Sequence, residues 1–252
     1  MNLLKPFILY LKIPLRSCLL ASLLTGSIMP SYAGVFSVTP VRIYMSPKDR
    51  AVAVTIINDG DTELVMQADL YLWKQKPDGQ DDLTLTEDMF LAPPIIKMAP
   101  KSRQVLRLAR LSPTKSLEQL TYRMIVREIP EAIPAKQDLQ LQIALAFSMP
   151  VFITPRGAKA KLVCTAVRVS ADSINAVCEN NGSAYSHPTN LQLVDSSGSK
   201  VASNDVGGYI LPHIKRIFSI KRAGAVITAG TAKLIATLDD GTTEIFDVSI
   251  AN

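Results

Sequence analysis

At 252 residues, with 27 Lys and Arg against 22 Asp and Glu, the chain carries a formal charge of +5. That length suits one large domain or two of about 100 residues each. No Lys/Arg run interleaved with aromatics is present, which excludes the usual footprint of a nucleic-acid binder. The N-terminus reads as a secretory leader. Lys5, Lys12 and Arg16 precede an uncharged apolar stretch at 17–29, Pro30 breaks it, and Ser31-Tyr32-Ala33 puts small residues where a signal peptidase reads. The apolar run is shorter than the ~20 residues a spanning helix needs. Cleavage after Ala33 would leave 219 of the 252 residues for export, with the charge reduced from +5 to +2 by loss of three basic residues. Cys18 leaves with the leader. Cys164 and Cys178 remain, and two cysteines in an exported chain favour a disulfide over a metal pair.

Along the mature chain, short β-branched stretches of period two alternate with turn residues. In order they are 51–57 (AVAVTII), 65–73 (VMQADLYLW), 122–129 (YRMIVREI), 139–149 (LQLQIALAFSM), 217–220, 233–238 and 244–250. Between them lie Asn58-Asp59-Gly60-Asp61, Pro77-Asp78-Gly79, Ser196-Ser197-Gly198 and Asp239-Asp240-Gly241. Residues 115–120 have room for one helical turn, and no stretch sustains a helical period. The pattern predicts an all-β chain of two antiparallel β-sandwich domains. The segment 150–157 (PVFITPRG) divides them, into 34–152 and 153–252. In the second half, pairing 162–168 with 174–179 about a five-residue loop sets Cys164 opposite Cys178. Opposed residues in an antiparallel pair lie within disulfide reach.

Catalytic chemistry is hard to find. The only histidines, His187 and His213, each neighbour a proline, and no third metal-ligand type clusters near either, so no zinc site is expected. There is no G-x-S-x-G, no phosphate-cradling glycine loop, no H-E-x-x-H and no acidic calcium loop. Asp81-Asp82 and Asp239-Asp240 read as solvated bends. No enzyme activity, cofactor or nucleotide is implied.

The stretch 139–149 stands out because it runs eleven residues without charge, glycine or proline. Leu139, Leu141, Ile143, Leu145, Phe147 and Met149 alternate onto one face of a strand, with Gln140, Gln142, Ala144, Ala146 and Ser148 on the other. It could be a central strand. As an edge strand it would invite aggregation, which makes sense only if another chain occupies it.

Several local patterns together resemble the periplasmic pilus-chaperone family, from Phe36 to the C-terminus. They are Val41-Arg42-Ile43-Tyr44, Asn58-Asp59-Gly60 with Val65-Met66-Gln67-Ala68, and Ala92-Pro93-Pro94 with Met98-Ala99-Pro100 and 105–108. The sequences YRMIVREIP at 122–130 and LQLQIAL at 139–145 complete the set. The second half resembles the family more loosely, through Asn181-Gly182, Leu211-Pro212 and Asp240-Gly241. The resemblance implies two immunoglobulin-like domains set at an angle. It implies partners too: pilus subunits (pilins), each lacking a strand of its own sandwich, and an outer-membrane usher that receives them. In that mode the chaperone lends a strand to the subunit, an example of β-strand addition. Leu141, Ile143 and Leu145 match the family's insertion positions, and the alternation extends the set to Leu139 and Phe147. Arg42 matches the first-strand arginine that grips a subunit's terminal carboxylate.

One departure matters. Where better-known members carry a second, lysine anchor, this chain has Pro150, and Thr154 replaces the arginine before the strand-ending proline. With the Cys164/Cys178 hairpin, that pattern resembles the archaic branch of chaperone–usher systems. Arg123, on the strand expected beside 139–149 across the 131–138 loop, is the candidate second donor. Two other classes stay in view: a pilus subunit or adhesin of similar fold, and a hydrolase on a β scaffold. A subunit should carry an alternating N-terminal extension, whereas Pro40 and Arg42 interrupt 34–44. No nucleophile–base set supports a hydrolase.

Overall fold

The computed structural model describes residues 36–112, 115–130, 143–224 and 226–251. The expected leader with its cleavage point after Ala33, and Leu139 and Leu141, lie outside the described residues. Among the described residues the regular structure is entirely β.

Ten strands build the first sandwich: β1 (Phe36–Thr39), β2 (Ile43–Met45), β3 (Ala51–Asn58), β4 (Leu64–Gln75), β5 (Asp81–Leu85), β6 (Met89–Ala92), β7 (Ile95–Met98), β8 (Arg103–Arg110), β9 (Leu120–Glu128) and β10 (Ala146–Ile153). One sheet has the order β1-β3-β8-β6; the other runs β2-β10-β9-β4-β5, with β7 also on β4. Period-two alternation turns Val54 and Ile56, Leu106 and Leu108, Met66 and Leu70, and Met124 and Val126 into one buried core between the sheets. The first strand of the sequence divides in two. β1 pairs antiparallel with β3, the chain crosses at Pro40, and β2 pairs parallel with β10 in the opposite sheet.

Seven more strands form the second sandwich: β11 (Leu162–Ser170), β12 (Ser173–Asn180), β13 (Pro188–Asp195), β14 (Lys200–Asp205), β15 (Lys215–Lys221), β16 (Gly230–Leu238) and β17 (Thr243–Ile250). Its sheets, β11-β12-β15 and β14-β13-β16-β17, enclose a second core that includes Ile174, Leu191, Leu193, Phe218 and Leu234. Each sandwich is pinned by a buried asparagine ahead of a turn. Asn58 donates to the carbonyls of Thr62 and Ala99 and accepts from the Gly60 N–H. Asn180 donates to Ala184 and Ile210 and accepts from the N–H groups of Lys161 and Gly182. At Gly182 a Cβ would sit 2.3 Å from the Lys159 carbonyl oxygen, so only glycine fits beneath that asparagine.

Two local expectations are corrected. No helical turn forms at 115–120: the Ser116 hydroxyl accepts from the Glu118 N–H, a side-chain bond that competes with helix, and β9 already begins at Leu120. The long strand read at 139–149 is displaced. Ile143, Ala144 and Leu145 are irregular, and β10 begins at Ala146 and continues through Pro150 to Ile153. The cause lies in its neighbour. Ala146 pairs with Arg127, and with the bond from the Glu128 N–H to the Leu145 carbonyl (2.9 Å) β9 ends at Glu128, two residues before Pro130. That bond also fixes the parity of the ladder, so the Pro150 nitrogen faces away from β9 and its missing N–H breaks no rung.

In the β11–β12 hairpin Arg168 faces Ile174 and Cys164 faces Cys178, and the two sulfurs are bonded across a sequence separation of 14. Closing a loop of ~15 residues contributes about 3 kcal/mol in the chain-entropy model. Replacing both cysteines by serine should lower the thermal midpoint by roughly 12–24 °C, at ~4–8 °C per kcal/mol for a domain this small. Partner binding by the folded protein should be nearly unchanged. Mass spectrometry of the unreduced protein showing two thiols, or an unmoved midpoint, would refute this account.

Candidate functional site: the cleft between the sandwiches and the open edge of β10

Strand parity sends Trp73 and Gln75 of β4, Thr121 and Arg123 of β9, and Phe152 of β10 to the outer face of the first sandwich, where solvent would be expected. Yet Trp73, Gln75, Thr121 and Phe152 are buried, because the second sandwich covers that end of the sheet. Trp73, Phe152 and Leu211 form a small core of their own, flanked by Tyr185 and Tyr209. Phe152 stacks on Tyr185 at 4.2 Å, and Trp73 meets Tyr209 edge-on at 5.3 Å. Burying such side chains is worth roughly 1.5–3 kcal/mol each. Polar bridges set the register of the contact. The Gln75 amide donates to the Tyr209 carbonyl and accepts from the Leu211 N–H, both at 3.0 Å. The Gln119 amide donates to Thr154 and accepts from the Tyr185 N–H. Arg216 threads between Gly79 of one sandwich and Gly208 of the other. Both glycines have positive φ, and a Cβ on either would collide with the arginine.

Arg42 sits at the mouth of this cleft, in the bend between β1 and β2. Its Nη1 donates to Oδ2 of Asp239, and its guanidinium lies 5.7 Å from the centre of the Tyr209 ring. Burial pulls against its charge. The hydrogen bond to Tyr44, the phenol of Tyr209 and the Asp239 carboxylate together outweigh burial and hold the Arg42 pKa above the ordinary arginine value. Tyr44 in turn bonds Tyr185, oxygen to oxygen, at 2.8 Å. Asp239 is therefore no solvated bend: its side chain is only 14% exposed, and His187 Nδ1 lies 3.4 Å from the same oxygen. His187 stacks on Tyr209 at 4.2 Å, and burial is the main cause that holds its pKa below the usual imidazole value. Asp240 does stay in an exposed turn, accepting from Thr242.

Arg123 faces Pro150 directly across the β9–β10 ladder. It is more enclosed than an outward strand arginine should be, its side chain 14% exposed. Its guanidinium lies over the Trp73 ring at 3.8 Å and 5.5 Å from the Tyr209 ring, and Nη2 reaches Asp81 Oδ2 at 3.4 Å. Burial, the largest influence, lowers its pKa from the usual value, opposed by Asp81 and Tyr209. Asp81, expected in a bend, is the first residue of β5. Arg42, from the bend before β2, and Arg123, from β9, thus reach the same tyrosine, and each is paired with a carboxylate of its own chain.

The edge of β10 adjoins this cleft. Among the described residues β2 covers β10 only at 151–153, so 146–150 are paired with β9 on one side and have no strand partner on the other. Just before this open edge Ile143 is 69% exposed. Leu145 packs against the first core. Phe147, 36% exposed, lies edge-on to Phe36 at 5.0 Å. The structure therefore brings Ile143, Leu145 and Phe147 to one open edge, close in sequence to the stretch that faces the two arginines. Cys164 and Cys178 lie apart from it, inside the second core. Sequence reasoning missed Tyr44, Trp73, Tyr185, His187, Tyr209 and Asp239. Among the described residues no group of three His, Cys, Asp or Glu side chains is arranged to hold a metal.

Residues 35–159 match the family described as "Pili and flagellar-assembly chaperone, PapD N-terminal domain". No curated protein sequence matches the chain significantly. Among solved structures, it is similar to one of the CsuC–CsuE chaperone–tip adhesion subunit pre-assembly complex from archaic chaperone–usher Csu pili of Acinetobacter baumannii. That match has 19% identity and a TM-score of 0.62, and covers 86% of this chain and 100% of the other. The Escherichia coli chaperone DraB gives 18% identity and a TM-score of 0.55 over 86% and 97% of the two chains. A Salmonella enterica complex of SafA pilin with the SafB chaperone gives 11% and 0.55, again over 86% and 97%.

Proposed function

Since this chain belongs to the family of pili and flagellar-assembly chaperones, we propose that it is a periplasmic chaperone that captures pilus subunits by lending them a β-strand and delivers them to an outer-membrane usher. Its leader is removed after Ala33, and its working units are 34–152, which binds the subunit, and 153–252. The open edge at 146–150, led by exposed Ile143 and Phe147, carries this reading. Backbone groups there are available to a partner strand. The apolar side chains Leu139, Leu141, Ile143, Leu145 and Phe147 would fill the groove that a missing strand leaves. Arg42 would hold the subunit's terminal carboxylate bidentately, as guanidinium groups do, with Arg123 as second donor in place of the lysine lost at Pro150. The work is binding and exchange, with no bond made or broken, so neither catalyst nor cofactor is needed. The archaic branch fits best, on the Pro150 and Thr154 departures and the disulfide hairpin; CsuC, to which the fold is similar, serves archaic Csu pili.

The test is isolation of the tagged protein from the periplasm of cells that make the fibre. It should come away in one-to-one complexes with small subunits and be missing from purified fibres. Incorporation into the fibre itself would make it a subunit or adhesin instead.

A further inference from the structure

We propose that Asp239 is a built-in competitor for Arg42: it occupies the guanidinium that an incoming terminal carboxylate must reach, and capture proceeds by exchange, with Asp239 passing to His187. This rests on the reading of Arg42 as an anchor and adds the residue that sets which ligands can use it.

Three observations carry the inference. Arg42 is paired at Nη1 with Asp239, and the acceptor comes from the turn just after β16 in the second sandwich, so the pairing is a product of the fold rather than of local sequence. The pair lies beside a cavity of about 360 Å³, lined among others by Tyr44, Tyr185, Ser186 and His187. That is room for a chain end next to the guanidinium. Finally, two groups around it are poised for a change of partners. His187 Nδ1 is 3.4 Å from the Asp239 oxygen that Arg42 holds, so Asp239 keeps a donor when Arg42 is taken. The Ser186 hydroxyl, on a residue 2% exposed that lines the same cavity, has no hydrogen-bond partner among the described residues. A buried hydroxyl left unpaired is costly, and a carboxylate oxygen is a partner it lacks.

Exchange of one carboxylate for another at the same guanidinium gains little by itself. A small carboxylate therefore cannot displace Asp239. A subunit can, because the free energy of filling the edge of β10 adds to the exchange. Asp239 thereby makes the anchor answer only to a carboxylate that arrives attached to a docked strand.

The probe is a synthetic peptide of the last residues of a subunit co-purified with the chaperone, as free acid and as C-terminal amide, titrated into the full mature protein. Asp239→Asn keeps the shape and removes the charge. It should tighten free-acid binding about tenfold, leave amide binding unchanged, and let acetate compete where it does not compete in the parent. Asp239→Ser should act the same way, which guards against a defect peculiar to one variant. Unchanged or weaker free-acid binding by both folded variants would overturn the competition and leave Asp239 a brace between the sandwiches. Arg42→Ala in the Asp239→Asn background separates the two readings. If it restores weak free-acid binding, the anchor stands; if it changes nothing, the Arg42 reading itself fails.

Discussion

Ile143→Asp should abolish subunit capture while leaving the chaperone folded. The side chain is 69% exposed in the chain alone and lies outside any strand, so an aspartate there meets water and disturbs no core. In a complex the same position would lie in an apolar groove. The substitution forfeits about 1.5–3 kcal/mol of apolar burial. It also places a carboxylate where desolvation costs several kcal/mol more. Together these exceed a hundredfold in affinity. Circular dichroism and thermal melting should match the parent, and co-purified subunit should disappear. A variant that unfolds alone would mean the segment belongs to the chaperone's own core. A folded variant with full capture would remove Ile143 from the contact.

With Asp239 replaced by Asn, so that no internal carboxylate competes, Arg42→Ala is expected to weaken binding of a free-acid subunit peptide by about ten- to hundredfold, since charge-assisted hydrogen bonds contribute about 1.5–3 kcal/mol. Arg42→Lys should restore only part, because an ammonium cannot reproduce the two-pronged geometry. Arg123→Ala should weaken free-acid binding to a comparable degree. Its guanidinium also covers Trp73, so its loss will lower stability as well. The C-terminal amide separates the two effects: both alanine variants should bind it as the parent does. Full free-acid binding by Arg42→Ala in that background would remove the anchor. Full binding by Arg123→Ala would remove only the second donor.

The sandwiches themselves were legible because a half-buried strand writes its burial into the sequence. Alternation in 51–57 and 65–73 anticipates β3 and β4, and the hairpin register that opposes the two cysteines follows from loop length alone. Residues 188–195 escape the pattern, since Asn190 and Gln192 dilute the β-branched signal that β13 otherwise carries. The displaced edge strand has a different origin. Alternation says which way side chains point if a strand forms, but only a neighbour says where it forms, and β9 ends at Glu128. The cleft was invisible for a related reason. Trp73 and Phe152 sit at outward parity, and nothing local tells whether an outward aromatic meets solvent or a second sandwich. The one available hint was their parity itself: two large aromatics on a face that should be polar.

Trp73 is the only tryptophan in the chain, and it lies at the seam where the two sandwiches meet, beneath the Arg123 guanidinium and edge-on to Tyr209. Its indole N–H has no partner among the described residues, so the ring is held by packing and by the cation above it. The protein therefore carries a single tryptophan fluorophore at this seam, one that can be excited beyond the absorption of its seven tyrosines. Its emission speaks for that seam alone, undiluted by either core. A parting of the sandwiches becomes optically separable from the melting of either one, and a shift of Arg123 toward a ligand registers without any label.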